Sequence, residues 1–230
     1  MRLFATILIL SVLCCACHES EKASVRDADT MDIEMAVLPI SDCEPYIQKK
    51  REGLYDSLGI KAGVTTYDAA MDIDTAVVNG RVNVIVSDTV RLNRLRKKLP
   101  MLQVVKEWTA NYWLVTMDTL IRYPKNLREK TVAMTRFSAE HRLFERVMAM
   151  AGFEEGDCFP IQVNDINLRL RMLEQGMVDA ALLPHPQADS ALAHGARRIM
   201  MADSTERFVI AYRPSNRLDK EKVMRFLYAK

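Results

Sequence analysis

The chain has 230 residues, with 32 Lys and Arg against 30 Asp and Glu, a formal net charge of +2. A balance this close to neutral gives no electrostatic case for a nucleic-acid partner. Past an export segment and a polar tether, about 200 residues remain, enough for one large domain or two lobes of about 100 residues each.

Arg2 precedes an uncharged, mainly apolar run over residues 3–13, interrupted only by Thr6 and Ser11 and followed by small residues and cysteines. That is the pattern of a secretory signal peptide. The run is about half the length a bilayer-spanning helix needs, and His18, Glu19, Ser20, Glu21 and Lys22 follow at once. Its end, Leu13-Cys14-Cys15-Ala16-Cys17, resembles a bacterial lipobox, in which a small residue precedes the lipidated cysteine. We expect residues 1–17 to be a lipoprotein signal peptide and Cys17 the lipidated residue. Cys14 departs from the usual Leu at its position, so Cys15 stays as an alternative, and a plain signal peptide is the blander reading. A lipid would hold the protein on a membrane surface without a spanning helix, in the periplasm or at the cell surface. Residues 18–30 carry almost no large apolar side chain and read as a flexible tether. Beyond the signal only Cys43 and Cys158 remain; they either bridge or stay free, and free is our expectation.

The fold begins near Met31. Residues 32–38 alternate and then turn wholly apolar, as a strand entering a buried sheet does, and Pro39 ends them. Apolar side chains at Tyr46, Ile47, Leu54, Tyr55 and Leu58 predict a helix over 46–58, closed by Gly59. A strand over 61–66, a helix over 69–79 and a strand over 82–86 follow. Residues 89–99 read as an amphipathic helix with Val90, Leu92, Leu95 and Leu99 inward and five Arg or Lys on a solvated outer face. Strands over 102–108 and 112–117 complete this half. The second half repeats the pattern, with strands over 131–134, 158–163 and 178–183 and helices over 139–151, 166–174 and 188–194. Strands over 198–201 and 207–212 and a helix over 220–228 end the chain. Strands alternating with helices imply parallel sheets covered on both faces, here in two α/β lobes.

Residues 126–133 (Asn-Leu-Arg-Glu-Lys-Thr-Val-Ala), Arg136-Phe137-Ser138, and the run from Gly176-Met177-Val178-Asp179-Ala180-Ala181 through Pro184-His185-Pro186 to Gly195-Ala196 carry a resemblance. They resemble type 2 periplasmic binding proteins, in the branch handling sulfonates, taurine, nitrate and thiamine-pyrimidine precursors. More loosely, the likeness extends over residues 31–228. Two departures stand out: Glu129 sits where the family usually has Gly, and the tail after Tyr212 is short. The resemblance implies a two-lobed type II periplasmic binding fold, each lobe a mostly parallel sheet flanked by helices. Lobe 1 would be 31–111 plus 202–230 and lobe 2 would be 112–201, with crossings near 109–112 and 201–204 and the ligand clamped between.

In open α/β sheets ligands sit beyond the carboxyl ends of the strands, so the loops there are the candidates whatever the family. Ser41 and Asp42, with Tyr46, follow the first strand; Ser87 and Asp88 follow the third. Each pair either caps a helix or contacts ligand. Arg136 and Ser138 suit a carboxylate, sulfonate or phosphate if both face the cleft; the bland reading is an exposed Arg beside a capping Ser. His141 lies one turn further on. Asn164 and Asp165 offer polar contacts or start a helix, and His185 sits in a loop stiffened by two prolines. Trp108 and Asn111, with Tyr112 and Trp113, lie at a presumed crossing, where aromatics wall a pocket or pack the hinge.

No metal or catalytic pattern is present: the four histidines are isolated, and Cys-x-x-Cys, a glycine-rich phosphate loop and Gly-x-Ser-x-Gly are all missing from the mature chain. The resemblance implies a solute-binding lipoprotein of an ABC importer. It would be a monomer without cofactor that binds a small anionic or heterocyclic ligand and partners a permease and, through its lipid, a membrane. Two alternatives remain. One is an enzyme on the same fold, as in menaquinone or thiamine-pyrimidine synthesis. The other is a sensor or adaptor, to be suspected if the chain's own side chains fill the cleft.

Overall fold

A computed structural model describes residues 31–201 and 206–230. The signal peptide, Cys17, the tether and residues 202–204 of the second expected crossing lie outside the described residues.

Strand β1 (Ile33–Val37) lies between two parallel neighbours, β2 (Ala62–Thr66) and β3 (Val84–Asp88). Covered on both sides, it buries every residue but Glu34, as a central parallel strand does. A 3-10 turn at Ser41–Cys43 leads into α1 (Glu44–Arg51). The single helix expected over 46–58 is in fact two. Gly53 takes φ 72°, a left-handed conformation that ends α1 and opens α2 (Leu54–Ser57). The break lets Tyr55 bury against Phe226, their ring centroids 4.5 Å apart.

Helix α3 (Ala70–Val78) precedes β3, and α4 (Thr89–Leu95) follows it at once, its N-cap Asp88 accepting the Arg91 N–H at 2.9 Å. Two details of the expected α4 are corrected. Arg91 is buried rather than solvated, and Val90 is half-buried rather than packed inside. The chain then runs through β4 (Gln103–Thr109) and β5 (Trp113–Thr116). Next come β6 (Thr131–Met134), α5 (Ala139–Met150), β7 (Phe159–Gln162), α6 (Ile166–Glu174), β8 (Ala180–Leu183), α7 (Gln187–Ala193) and β9 (Arg197–Met201). Strand β10 (Arg207–Tyr212) and α8 (Lys220–Leu227) complete it.

The strands form two five-stranded sheets, ordered β2-β1-β3-β10-β4 and β7-β6-β8-β5-β9. The sheets are mixed and mostly parallel, as the resemblance implies, with one reversed strand in each. Strand β10 is antiparallel to both of its neighbours, and so is β5. In each sheet the reversed strand is the one arriving from the other sheet, β5 after β4 and β10 after β9. Parallel neighbours need a crossover of about a dozen residues, usually a helix, and these two strands arrive without one.

One cluster of buried side chains runs from the first sheet (Met35, Ile85, Ile210) into the second (Leu114, Val132, Leu182). The second sheet's alternate residues, Val115, Ala133, Ala181 and Leu183, point the other way and pack with Leu173, Ala188 and Ala191 of α6 and α7. Cys43 and Cys158 are both free and buried, and burial pushes the Cys43 thiol up to about 12. Among the described residues no helix is long and apolar enough to cross a membrane.

Candidate functional site in the cleft

The carboxyl ends of the parallel strands in both sheets face one cleft, and the loops after them line a single cavity. Leu38 and Ile40 follow β1, Ser87 and Asp88 end β3, and Thr135 and Ser138 follow β6. Asn164 follows β7 and Pro184 follows β8. The cavity is small, about 20 Å³, room for about one water. A pocket for a drug-sized ligand measures roughly 300 Å³ or more.

Around it the two halves touch directly. The Ser41 N–H donates to the His185 carbonyl at 3.0 Å and the Ile166 N–H to the Asp68 carbonyl at 3.2 Å. Gln187 Nε2 donates to the Pro39 carbonyl at 2.8 Å, and Ala69 bridges to Asp165.

Buried charge sits in the cavity wall and behind it, and two buried pairs, Arg169 with Glu140 and Arg91 with Asp74, match most of it. Arg169 is fully buried; its Nη1 donates to Glu140 Oε2 at 2.7 Å and to the Leu182 carbonyl at 2.6 Å. Its Nη2 donates to Thr135 Oγ1 at 2.8 Å, and its Nε to the Val163 carbonyl at 3.1 Å. Glu140 Oε2 also accepts the Thr135 N–H at 2.6 Å. Satisfied in this way, a buried guanidinium escapes most of its desolvation cost. Arg91 pairs with Asp74. Burial pushes the Asp74 carboxyl up, against the pull of Arg91.

Asp88 is the other buried acid. Burial pushes its carboxyl up to about 7, opposed by the Arg91 N–H and charge and the Ala139 N–H and reinforced by the Glu140 charge. Tyr112, also in the wall, is held well above the usual phenol range by burial and then by Glu140 and Asp88.

Of the residues singled out from the sequence, Ser87, Asp88, Ser138 and Asn164 line this cavity. Ser138 caps α5, accepting the Glu140 N–H at 3.2 Å while donating to the Thr135 carbonyl at 2.6 Å. Asn164 Nδ2 lies 2.9 Å from Met71 Sδ. Ser41 and His185 meet at the rim through the bond above, and His185 Nδ1 lies 2.7 Å from Asp189. Asp165 caps α6, accepting the Leu168 N–H at 2.7 Å.

The others lie elsewhere. Arg136, expected to face the cleft, is exposed, with its guanidinium over the Phe137 ring; the capping role of Ser138 holds and the paired Arg does not. Asp42 and Asn111 are exposed. Tyr46 packs on Phe226, its hydroxyl accepting from Lys106 Nζ at 2.9 Å. Trp108 stacks on Phe208, which itself reaches the cavity. His141 lines a separate groove of about 340 Å³ between α4 and α5, with Arg94, Lys97 and Arg142.

Arg169, Glu140 and Arg91 were not singled out, yet a signal for each exists. Arg169 falls three residues after Ile166 and four before Leu173, on the buried stripe of α6. Glu140 stands likewise before Leu143, Phe144 and Val147, and Arg91 four before Leu95. A charge in register with an apolar stripe is a buried charge seeking a partner. Among the described residues no group of three or more His, Cys, Asp or Glu is arranged to hold a metal.

The profile of the NMT1/THI5 like family matches residues 41–205. The chain belongs to this family. The matched residues run from the 3-10 turn after β1 past β9, so this NMT1/THI5-like chain carries its family pattern through the whole second sheet and through β2, β3 and β4 of the first. No curated protein matches it in sequence. The alkanesulfonate-binding protein SsuA from Xanthomonas axonopodis pv. citri, bound to MOPS, shares 20% identity and a TM-score of 0.66 over 79% of this chain and 65% of that one. The periplasmic aliphatic sulphonate binding protein SsuA from Escherichia coli gives 19% and 0.62 over 79% of this chain and 65% of that one. An ancestral arginine-binding protein bound to arginine gives 17% and 0.62, over 85% of this chain and 90% of that one. The chain thus spans 65% of the length of the two sulfonate-binding proteins. These likenesses show the fold, that of the two-lobed type II periplasmic binding proteins.

Proposed function

We propose that this NMT1/THI5-like chain is a solute-binding protein that captures a small molecule between its lobes and presents it to an ABC permease. The observation carrying this reading is the convergence of carboxyl-end loops from both sheets on one cavity, where such folds place their ligands. We take the lobes as 31–111 plus 202–230 and 112–201, and a lipid on Cys17 as the link to a membrane in the periplasm or at the cell surface. The ligand is a small anion or heterocycle, held by lobe closure rather than by chemistry. Catalysis is not part of this reading: Arg169 is committed to Glu140, Arg91 to Asp74, and the Asp88 carboxylate caps α4.

The test is thermal unfolding of ligand-stripped protein against sulfonates, carboxylates, nitrate and pyrimidines. A ligand at a hundred times its dissociation constant adds about 2.7 kcal/mol and raises the midpoint. Ser87→Leu, which fills the cavity from β3, should abolish that gain. Silence across the panel from a folded protein would overturn the proposal.

One observation favours a second reading, a sensor or adaptor: the cavity is only about 20 Å³ and its rim is closed by bonds between the halves. A silent panel would hand the protein to that class.

A further inference from the structure

The groove of about 340 Å³ beside the cleft is walled from both halves of the molecule. Arg94 and Lys97 come from α4 and the turn after it, and Arg142 and Glu145 come from α5. Three cations thus share the groove with one carboxylate. Among the described residues Arg94 and Lys97 have no acid partner, and Arg142 lies 4.0 Å from Glu206, which Arg146 holds at 3.0 Å. Cations gathered in this way repel one another until an anion or salt screens them. An unusual backbone holds Arg94 in place. Phe137 takes φ 57°, a left-handed conformation that strains a residue with a side chain. Its carbonyl accepts from Arg94 Nη1 at 3.3 Å, and the Arg94 guanidinium lies over its exposed ring, 5.4 Å from the centroid. Neither contact neutralises the charge. A carbonyl and an aromatic face orient a guanidinium and leave its other donors for an oxyanion.

We propose that this groove is a second binding site, for a compact oxyanion of two or more charges such as a phosphate monoester or a diphosphate, and that its occupant bridges α4 and α5. Three cations against one acid leave two charges unmatched, which favours such an ion over the single charge of a carboxylate or phosphodiester. The bound ion touches cations on the helix after β3 and on the helix after β6. Those helices belong to halves joined across the cleft by the bonds from the Ser41 and Ile166 N–H groups. An anion that spans them therefore favours the closed arrangement. The site goes beyond the solute-binding reading and needs no solute in the cleft; only its effect on closure assumes that the halves part.

The probe is inorganic pyrophosphate, titrated by calorimetry into the whole chain in mild detergent at about pH 8 and about 0.1 M salt, where distant charges are screened. The wild type should bind one ion with a dissociation constant of about 1 mM or tighter. Arg94→Gln and Arg142→Gln, one from each wall, should each weaken binding at least about fivefold. Both side chains are exposed, so neither variant disturbs the core. Arg51→Gln combined with Lys61→Gln removes two exposed charges that do not line the groove, and should change the affinity less than about twofold. Dimethyl phosphate, a singly charged stand-in for a lipid headgroup, should bind at least about fivefold more weakly than pyrophosphate. Saturating pyrophosphate should also slow hydrogen exchange at the Ser41 and Ile166 amides and leave those of β1 and β6 unchanged. No saturable binding by the wild type overturns the proposal, as does an equal loss in the control pair or a loss from one wall alone. Dimethyl phosphate binding as tightly as pyrophosphate overturns the charge class, and unmoved exchange at Ser41 and Ile166 overturns the effect on closure. Failure of the solute-binding reading looks different, since the solute panel would then be silent while pyrophosphate still binds.

Discussion

Arg169 and Glu140 face each other at 2.7 Å with both side chains out of reach of solvent. The pair ties α6 to α5, and the Leu182 carbonyl on Arg169 adds β8, so one guanidinium sets the spacing of three elements behind the cavity. Truncating one partner strands the other charge in the interior, which costs about 3–5 kcal/mol. Glu140→Ala should therefore lose about that much in urea unfolding. The double variant Glu140→Leu with Arg169→Met should recover a large part of it, because well-packed apolar pairs replace buried ion pairs at little cost. A loss under about 1 kcal/mol for Glu140→Ala would show that the pair does not bear on stability.

Asp88 makes stability depend on pH. Its carboxyl titrates near 7 in the folded protein against about 3.9 in an unfolded chain, so the folded state holds its proton more tightly. A raised carboxyl pKa contributes stability that is complete below about pH 4 and is lost as pH rises through 7. Burial is the main cause. The groups facing Asp88 are Arg91 on α4 and, across the cleft, Glu140 and the Ala139 N–H on α5. The full effect is on the order of 4 kcal/mol. Asp88→Asn keeps the cap without the charge, so it should match the wild type near pH 4 and exceed it increasingly up to pH 8. Parallel stability curves for the two proteins over that range would sink this account.

Much of the fold is legible where local signals and burial agree. Helix α6 ends where predicted because Asp165 caps it and Gly176 closes its last turn, and β6 and β10 coincide with their apolar runs. What stays hidden depends on distant partners. A single glycine in a helical pattern is tolerated, so the break at Gly53 follows only from the need to place Tyr55 under Phe226. The reversal of β5 and β10 is decided by which sheet each joins. At the site, Asp88 and Ser138 were readable because each follows a strand and opens a helix. The matching of Arg169 to Glu140 was not, since the stripe of α6 shows that an Arg is buried without showing across which gap it finds its acid.

Glu129 stands where the family usually has glycine, and its backbone explains why: φ is 60°, the left-handed region in which a side chain is strained. The conformation is held by the Glu129 N–H, which donates to the Asp157 carbonyl at 2.6 Å. The side chain is exposed, so removing it forfeits little packing. Glu129→Gly should stabilise the protein by about 1 kcal/mol, a rise of about 2–4 °C for a chain of this size. Glu129→Val, branched at Cβ, should lower the midpoint. A fall in midpoint for the glycine variant would mean that a contact of the Glu side chain outweighs the strain.

Gln187 offers a handle on closure itself. It is buried at the start of α7, donating from Nε2 to the Pro39 carbonyl beyond β1 at 2.8 Å and to Asn167 Oδ1 at 3.0 Å. It thus spans the cleft beside the two main-chain bonds made by the Ser41 and Ile166 N–H groups. A bond of this kind contributes about 1 kcal/mol, and the carbonyl left behind adds its own desolvation cost. Gln187→Ala should tilt the equilibrium towards an open form by about that amount, and the Ser41 and Ile166 amides should then exchange their hydrogens roughly five to ten times faster. The amides of β1 and β6, deep inside their sheets, should keep their wild-type rates. Faster exchange throughout would mean the variant loosens the whole fold, and unchanged rates at Ser41 and Ile166 would mean that Gln187 does not hold the halves together.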